Sequence, residues 1–194
     1  MRTLVLGPNA ALLAPVLGEH LSGVSEDPVS RDSVFADDIE ALVSFGHRHI
    51  VPANVLDAVD GRALNLHISQ LPWNRGADPN LWSWLENTPK GVTVHWMSPG
   101  LDRGEICAQR SIALDASSSL RATYESLRDE IVALFAEVWP AVTTGNAPRV
   151  VQPAGGSYHR SSDKEQHLAA MPDGWDTRCD VVAEYGRSNG LWLT

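Results

Sequence analysis

The sequence predicts an α/β fold with a mostly parallel central sheet flanked by helices. The main observation is that short apolar runs of strand length alternate with segments whose composition and spacing are helical. The second is the length of 194 residues, because a chain of this size forms one ordinary domain and buries about 70% of its unfolded surface. The third is the composition, 43% hydrophobic and 20% charged, which excludes the collagen, coiled-coil and disordered classes.

The first third of the chain establishes this alternation. Its apolar runs are short and are punctuated by glycine, as strands are, whereas an Ala- and Leu-rich stretch and a stretch that begins with proline predict helices. A polar, acidic segment has no clear period and is predicted to be irregular. In chain order we predict a strand at Thr3–Leu6, a helix over residues 10–21, the irregular segment 22–38, a strand at 42–45, a helix over 52–59 and a strand at 63–68.

The remainder of the chain adds two strands and two helices. The predicted elements are a helix over 78–86, strands at 91–97 and 105–114 joined by a Pro-Gly turn, and a long helix over 120–139. Apolar residues three to four positions apart give the long helix one core-facing stripe, and Ser117 or Ser118 is predicted to cap it.

The pattern changes after residue 145, where periodicity is lost and prolines and glycines predict a short, loop-rich C-terminal tail. We therefore expect one main domain over residues 1–145 and a C-terminal extension over 146–194 that packs on the same domain.

Charge and cysteine content narrow the functional classes. The formal charge of −9 and a pI near 5.1 argue against a bulk nucleic-acid binder, whose affinity comes from lysine and arginine. Cys107 and Cys179 lie far apart and match no metal or redox motif, so they are expected to be reduced. No apolar stretch reaches membrane-spanning length, and the N-terminal run breaks after four residues. The protein is expected to be soluble and cytoplasmic.

The most informative segment begins at the strand 63–68. Side chains alternate across a strand, so Asn65, His67 and Ser69 share one face. Polar side chains near the carboxyl end of a buried strand are costly unless they are satisfied, and open α/β sheets bind ligands at that end. From these residues alone, two interpretations remain: a ligand site, or side chains that bond neighbouring backbone groups.

The residues that follow carry a resemblance to a known family. An Asn-x-His-x-Ser strand is followed by Leu-Pro, Arg-Gly, Gly-Val-Thr-x-His and Asp-x-Gly-Glu motifs, in that order, within about forty residues. This series resembles the N-terminal catalytic domain of the folate-dependent formyltransferases. The likeness extends upstream to VSFGHRHIVPANVLD and downstream to GGSYHR. It implies a Rossmann-like fold and a formyltransferase domain over residues 1–145.

The resemblance implies roles for three side chains. In this family a formyl group passes from 10-formyltetrahydrofolate to an amine, through a tetrahedral intermediate that carries an oxyanion. Asn65 is implied as the donor to that oxyanion, His67 as the group that stabilises it or moves a proton, and Asp102 as the carboxylate that orients His67. The residue types suit this chemistry, since imidazole handles protons near neutral pH.

The resemblance also implies a binding site for the folate cosubstrate, in two segments. The implied residues are Phe45, His47, Arg48, His49 and Ile50 in one loop, and Ser69, Gln70, Leu71 and Pro72 in the other. Gln70 stands where Leu or Tyr is commoner. We expect no metal, because the His47-Arg48-His49 run lacks partner ligands and fits a surface loop. His95 lies within a strand and is expected to be structural or to support the site. No GxGxxG motif follows the first strand, which disfavours a dinucleotide site.

The acceptor amine is less well determined by the sequence. The short C-terminal region and the acidic charge disfavour a tRNA acceptor. The run LPWNRGADPNLWS is similar to small sugar N-formyltransferases and to formylation domains of peptide-synthetase assembly lines. We expect a nucleotide-linked amino sugar. The alternatives are a carrier-bound or free amino acid in natural-product biosynthesis, hydrolysis of the folate with water as acceptor, and a folate-binding homologue without catalysis. The sequence leaves open whether the protein forms a homodimer.

Overall fold

A computed structural model describes residues 1–193 as two compact units that the chain enters more than once. The first unit comprises Met1–His67, Val94–Ala108 and Ile131–Gln152. The second comprises Ile68–Thr93, Gln109–Glu130 and the residues from Pro153 onward.

Secondary structure alternates between strands and helices in the first half of the chain and becomes mainly helical after residue 112. The strands are β1 Thr3–Leu6, β2 Leu21–Ser25, β3 Ala41–Ser44, β4 Ala63–His67, β5 Arg75–Gly76, β6 Gly91–Trp96, β7 Ile106–Ser111 and β8 Tyr158–His159. The helices are α1 Ala10–Leu17, α2 Arg31–Ala36, α3 Ala53–Ala58, α4 Pro79–Leu85, α5 Leu120–Thr143, α6 Glu165–Ala169 and α7 Cys179–Ser188.

The central sheet has the strand order β2-β1-β3-β4-β6-β7. β1 pairs in parallel with β2 and with β3, and β3 pairs in parallel with β4. The amide of Met97, just after β6, donates to the carbonyl of Ala63 at 2.7 Å, so the carboxyl end of β6 meets the amino end of β4. The predicted α/β fold with a mostly parallel sheet is confirmed.

The first unit has its own apolar core between the sheet and the helices α2 and α3. Side chains from β1, β3 and β4 meet side chains from the two helices there, and burial of this apolar surface drives their packing. The buried members are Leu6, Val29, Val34, Ile39, Leu42, Val51, Val55, Leu56, Val59 and Ala63.

The second unit is organised around α4 and α7. Leu81 and Leu85 of α4 share a buried cluster with Cys179 and Val182 of α7. The two helices approach closely at Gly186, where a Cβ would lie 2.0 Å from the carbonyl oxygen of Leu85. Only glycine permits this distance between the backbones.

Two regions predicted to be irregular contain regular structure. Residues 22–38 hold β2, an edge strand in which no residue is fully buried, and α2, which is capped reciprocally by Ser30 and Ser33. The tail contains β8, α6 and α7. These elements are short and carry little apolar periodicity, so the sequence pattern did not reveal them.

Two predicted helix ends were also wrong. The helix expected over 10–21 ends at Leu17, and a 3₁₀ turn follows it. The cap of α5 is Ser119, whose hydroxyl accepts from the amide of Ala122 at 3.2 Å. Ser117 instead binds the carboxylate of Asp115 through its amide and its hydroxyl. Within residues 1–193, none of the helices combines the length and apolarity needed to span a membrane.

Candidate active site

The first two candidate catalytic residues lie on β4. Asn65 and His67 are two positions apart and share one face of the strand. Asn65 is half-buried, whereas His67 is 6% exposed. The polar face predicted from the sequence is therefore at the end of β4, in the first unit.

Asp102 lies in the turn between β6 and β7. Its φ angle of 51° is in the left-handed region, which costs free energy for a residue other than glycine. Gly104 completes the turn, because a Cβ at this position would lie 1.7 Å from the carbonyl oxygen of Trp96. The Asp-x-Gly-Glu motif thus includes a residue that must be glycine for the turn to close.

The carboxylate of Asp102 is the centre of a polar cluster in the first unit. Its Oδ1 accepts a hydrogen bond from Asn65 Nδ2 at 2.9 Å and lies 3.3 Å from His95 Nε2. Its Oδ2 lies 3.6 Å from His67 Nδ1. Asp102 is 9% exposed, so these contacts are largely shielded from water. The structure thus brings Asn65, His67 and Asp102 together, and adds His95.

The cluster combines a neutral amide donor, two imidazoles and one carboxylate. The carboxylate can form an ion pair with either imidazole when that ring is protonated. Such a cluster can donate a hydrogen bond to a developing oxyanion, and its imidazole nitrogens can accept and return a proton. Over residues 1–193, no group of three or more His, Cys, Asp or Glu side chains, this cluster included, has an arrangement that could hold a metal ion.

Gln152 supports the turn and was not identified from the sequence. Its Nε2 donates to the backbone carbonyls of Asp102 and Gly104, both at 2.8 Å. The residue follows β7 by about forty positions and belongs to no motif, so only its position in the folded unit reveals this contact.

The candidate cosubstrate loop over residues 45–50 follows β3 in the first unit. Phe45 is buried, and its carbonyl accepts from Asn9 Nδ2 at 3.3 Å. Arg48, His49 and Ile50 are exposed, with Ile50 at 72%. The loop is therefore anchored at Phe45 by burial and by the hydrogen bond from Asn9, and its last three residues are exposed to solvent.

His47 differs from its neighbours in this loop. Both of its ring nitrogens are buried, and neither has a hydrogen-bond partner among the residues that the structure describes. Its ring meets His49 edge-on at 5.3 Å between centroids. Burial lowers the pKa of His47, and the neighbouring His49 lowers it further. A ligand with polar edges would satisfy this imidazole.

The other candidate segment, residues 69–72, lies in the second unit. Ser69 Oγ donates to the carbonyl of Trp73 at 2.7 Å, and Gln70 Oε1 accepts from Ser111 Oγ at 2.9 Å. Leu71 and Pro72 are buried and joined by a cis peptide bond. The side chains of Ser69 and Gln70 are thus engaged in holding the segment.

Thr93 explains part of the Gly-Val-Thr-x-His motif. Its hydroxyl donates to the carbonyl of Ser69 at 2.7 Å and lies 3.2 Å from the amide of Leu71, which donates to it. Gln109 donates to the Leu71 carbonyl at 2.8 Å. Thr93 and Gln109 fix the backbone of residues 69–71, a role that sequence motifs alone did not assign.

Comparison with known proteins agrees with this architecture. A family model described as Formyl transferase matches residues 26–139, more than half of the chain. The crystal structure of the formyltransferase PseJ from Anoxybacillus kamchatkensis, in complex with UDP-4,6-dideoxy-4-formamido-L-AltNAc and tetrahydrofolate, has a TM-score of 0.86. It is 42% identical, and the match covers 94% of this chain and 97% of that chain.

Two curated relatives match over shorter shares of their own length. The dTDP-4-amino-4,6-dideoxyglucose formyltransferase of Mycobacterium tuberculosis is 30% identical over 148 residues, which are 76% of this chain and 62% of that protein. The methionyl-tRNA formyltransferase of Bifidobacterium longum is 36% identical over 120 residues, 61% of this chain and 36% of that protein. The chain thus spans less than two thirds of these relatives. The family model and the likeness to PseJ over nearly its full length establish that the chain belongs to the formyl transferase family.

Proposed function

We propose that the protein transfers a formyl group from 10-formyltetrahydrofolate to the primary amine of a nucleotide-linked amino sugar. The observation that carries this proposal is the cluster around Asp102, where Asn65 Nδ2 lies 2.9 Å and His67 Nδ1 3.6 Å from one carboxylate. An amide donor, an imidazole and a carboxylate are the groups that acyl transfer to an amine requires.

The reaction assigns each group a task. The amine nitrogen attacks the formyl carbon, and the carbonyl oxygen becomes an oxyanion. Asn65 donates a hydrogen bond to this oxygen, and His67 moves the proton that the amine loses. The bond from carbon to N10 of the folate then breaks, and N10 takes a proton. Asp102 orients His67 and stabilises its charged form. Because the donor is already an activated formyl amine, we propose that the step needs no metal.

The folate is proposed to bind at two segments. The first is the loop with Phe45, His47, Arg48, His49 and Ile50, where the buried ring nitrogens of His47 offer polar partners. The second is Ser69, Gln70, Leu71 and Pro72, whose backbone is held by Thr93 and Gln109. Tetrahydrofolate in the PseJ complex supports this cosubstrate.

The proposed acceptor is supported by two relatives. PseJ, 42% identical over nearly the whole chain, is in complex with a UDP-linked formamido sugar. The mycobacterial relative is named for a dTDP-linked amino sugar. The net charge of −9 disfavours a nucleic-acid acceptor. We place the reaction in the cytoplasm.

We also propose that residues 1–145 form the catalytic domain and that 146–194 form an extension serving it. Within the first unit, Gln152 of the extension holds the backbone of Asp102. Within the second unit, Gly156 of the extension lies so close to Pro72 that a Cβ would be 1.9 Å from the Pro72 carbonyl oxygen. In each unit, the extension thus contacts a residue that we propose for the site.

The test is a transfer assay with the purified protein and 10-formyltetrahydrofolate. The acceptor panel holds nucleotide-linked 4-amino sugars, aminoacyl carrier proteins and free amino acids, and each acceptor is checked by mass for one added carbonyl group. We expect formylation of a nucleotide-linked sugar, and a loss of about 10²-fold or more in His67→Ala. His20→Gln, which changes a histidine outside the cluster, serves as the matched control.

Three outcomes would overturn parts of the proposal. A mass gain only on carrier-bound or free amino acids would show that the acceptor is an amino acid and not a nucleotide-linked sugar. Formate release at the same rate with and without amines would indicate hydrolysis. Folate binding with no transfer to any acceptor and no formate would indicate a binding protein.

A further inference from the structure

Lys90 lies in the second unit, between α4 and β6, and has no role in the proposed formyl transfer. Its Nζ donates to the backbone carbonyls of Ser83 and Thr88, both at 2.9 Å. It also lies 4.5 Å from the centroid of the Trp84 ring. We propose that Lys90 is a modification site whose amine takes an acyl group from a small activated donor, either an acyl phosphate or an acyl thioester.

The hydrogen bonds of Lys90 Nζ are satisfied by a neutral amine. An ammonium has three hydrogens and no lone pair, whereas a neutral amine has two hydrogens and one lone pair. Because two carbonyls accept from Nζ, the neutral amine donates both of its hydrogens and leaves neither carbonyl without a donor. The lone pair that remains is the nucleophile that acyl transfer to an amine requires.

The surroundings of Lys90 contain no negative charge that would hold the ammonium form. Among residues 1–193, no carboxylate pairs with its Nζ, and the titratable group that influences it is the thiol of Cys179 in α7. Burial raises the pKa of Cys179, so this thiol is uncharged near neutral pH. Burial lowers the pKa of Lys90 to about 8, and a substantial share of the amine is therefore neutral near pH 7.5.

Lys90 is also open to solvent along part of its side chain. The residue is half-buried, whereas Trp84 and Cys179 are buried. A small acyl donor can therefore approach the amine from solvent, although the amine has lost enough hydration to favour its neutral form.

Lys164 provides an internal reference, because the chain has two lysines. Lys164 is likewise half-buried, and its Nζ lies 5.7 Å from the centroid of the Trp175 ring. It differs from Lys90 in its polar partner, since its Nζ lies 2.9 Å from the carboxylate of Asp78. An ion pair favours the charged amine, which has no lone pair, so the two lysines should differ in reactivity.

The proposed step is a simple acyl transfer. The lone pair of Nζ attacks the acyl carbon and forms a C–N bond, and the bond from that carbon to the phosphate oxygen or the thiol sulfur breaks. The phosphate or thiolate leaves with the electron pair, and the nitrogen loses one proton to solvent. The product is an uncharged amide with one N–H, so the carbonyl of either Ser83 or Thr88 loses its donor.

The experiment exposes the folded protein to acetyl phosphate or to acetyl-CoA near pH 7.5. Peptide mapping by mass spectrometry gives the acetylation rate at each lysine. We expect Lys90 to be acetylated about tenfold faster than Lys164, or more, with at least one of the donors. In urea-unfolded protein we expect the two rates to agree within about threefold, because folding creates the difference between the two amines.

Lys90→Arg is the matched control for the consequence of acylation. A guanidinium retains donors for both carbonyls and is not acylated, because it stays protonated. After treatment with acetyl phosphate, the urea midpoint of the wild type should fall, since one carbonyl has lost its donor. The midpoint of Lys90→Arg treated in the same way should stay unchanged.

Each outcome bears on the proposal. Equal rates at Lys90 and Lys164 in the folded protein, a preference for Lys90 that persists in the unfolded chain, or no acetylation of Lys90 by either donor would overturn it. Acetylation by one donor alone would support the site and identify the kind of activated acyl group that it accepts. These measurements do not depend on formyl transfer, so a failure of the proposed function would leave the test of Lys90 intact.

Discussion

Gln152 holds the backbone of Asp102: its Nε2 donates to the Asp102 carbonyl oxygen at 2.8 Å. The same nitrogen donates to the carbonyl of Gly104, also at 2.8 Å. Asp102 has a φ of 51°, a conformation that needs support from its surroundings. A side chain fifty positions further along the chain therefore stabilises the turn that carries the central carboxylate of the candidate site.

The first prediction concerns this contact. Gln152→Leu keeps the side-chain volume but removes both hydrogen bonds, so the Asp102 turn is expected to move. A displacement of about 1 Å in a catalytic group can cost about 10²-fold in rate, and we expect kcat to fall by at least tenfold. Gln166→Leu changes an exposed glutamine in α6 and serves as the control in the same transfer assay. Equal kcat values for the two variants would contradict the prediction.

The second prediction compares two adjacent glycines with positive φ. A Cβ at Gly156 would lie 1.9 Å from the carbonyl oxygen of Pro72, whereas a Cβ at Gly155 meets nothing within 4 Å. Gly155→Ala should cost about 1 kcal/mol through backbone strain alone. Gly156→Ala should in addition displace the segment ending at Pro72 and weaken tetrahydrofolate binding by about tenfold or more.

The comparison is made by calorimetric titration of tetrahydrofolate into each folded variant. Urea unfolding of both variants measures the strain that they share. If Gly156→Ala binds tetrahydrofolate as tightly as Gly155→Ala does, the segment at Pro72 has no part in the folate site.

The third prediction uses the buried imidazole of the loop after β3. Burial, and then His49, lower the pKa of His47 below that of an exposed histidine. The unfolded chain therefore binds this proton more tightly, and the stability contributed by His47 is lost as the pH falls below about 6.5. We expect the unfolding free energy of the wild type to decrease more between pH 7 and pH 5 than that of His47→Phe, measured by urea denaturation.

His49→Phe is the matched variant for this measurement, because it retains His47 and removes the secondary cause of its shift. Its stability should vary with pH less steeply than the wild type and more steeply than His47→Phe. A wild type and a His47→Phe variant with parallel pH profiles would show that burial does not perturb this histidine.

The fourth prediction concerns one of the two lysines in the chain. Lys90 Nζ donates to the carbonyls of Ser83 and Thr88, both at 2.9 Å, and lies 4.5 Å from the centroid of the Trp84 ring. Burial lowers its pKa to about 8. As the pH rises, the folded protein thus releases this proton at a lower pH than the unfolded chain does. The stability contribution of Lys90 therefore increases between about pH 8 and 10.

The predicted rise in stability with pH is tested by urea denaturation of the wild type and of Lys90→Met at pH 7 and pH 9.5. The variant should be less stable at both values, because two carbonyls lose a donor, and its deficit against the wild type should widen at pH 9.5. Burial raises the pKa of Cys179, whose titration opposes the effect. The comparison is therefore repeated with Cys179→Ala introduced into both proteins, which removes the titration of Cys179. A deficit that narrows at high pH in both backgrounds would contradict the assignment.

The polar face of β4 illustrates what could be predicted from the sequence. Asn65 and His67 share a face because strand alternation is a local property, visible in a run of five residues. The fold class followed similarly from the order of short apolar runs and helical segments, and the sheet confirms it. The motifs around Asp102 and Gly104 indicated the family, to which the chain belongs.

The errors have a common physical cause. β2 is an edge strand without a fully buried residue, and α7 is a ten-residue helix that is stabilised by packing on α4. Short elements of this kind depend on partners distant in sequence, and their own composition carries a weak signal. The same holds for Ser119, whose role as the cap of α5 depends on where the helix begins in the folded chain.

The sequence by itself determined the class of fold, the family and the residue types that the chemistry needs, since these depend on local alternation and on motif order. The tertiary structure alone decided that Asp102 contacts both Asn65 and His95, and that Gln152 holds its turn. Asn65 and Asp102 are 37 positions apart and Asp102 and Gln152 are 50 apart, whereas His95 and Asp102 lie close in sequence but on a strand and in the turn after it. Their distances depend on how the strands pair and on the left-handed conformation of one residue, which no local pattern encodes.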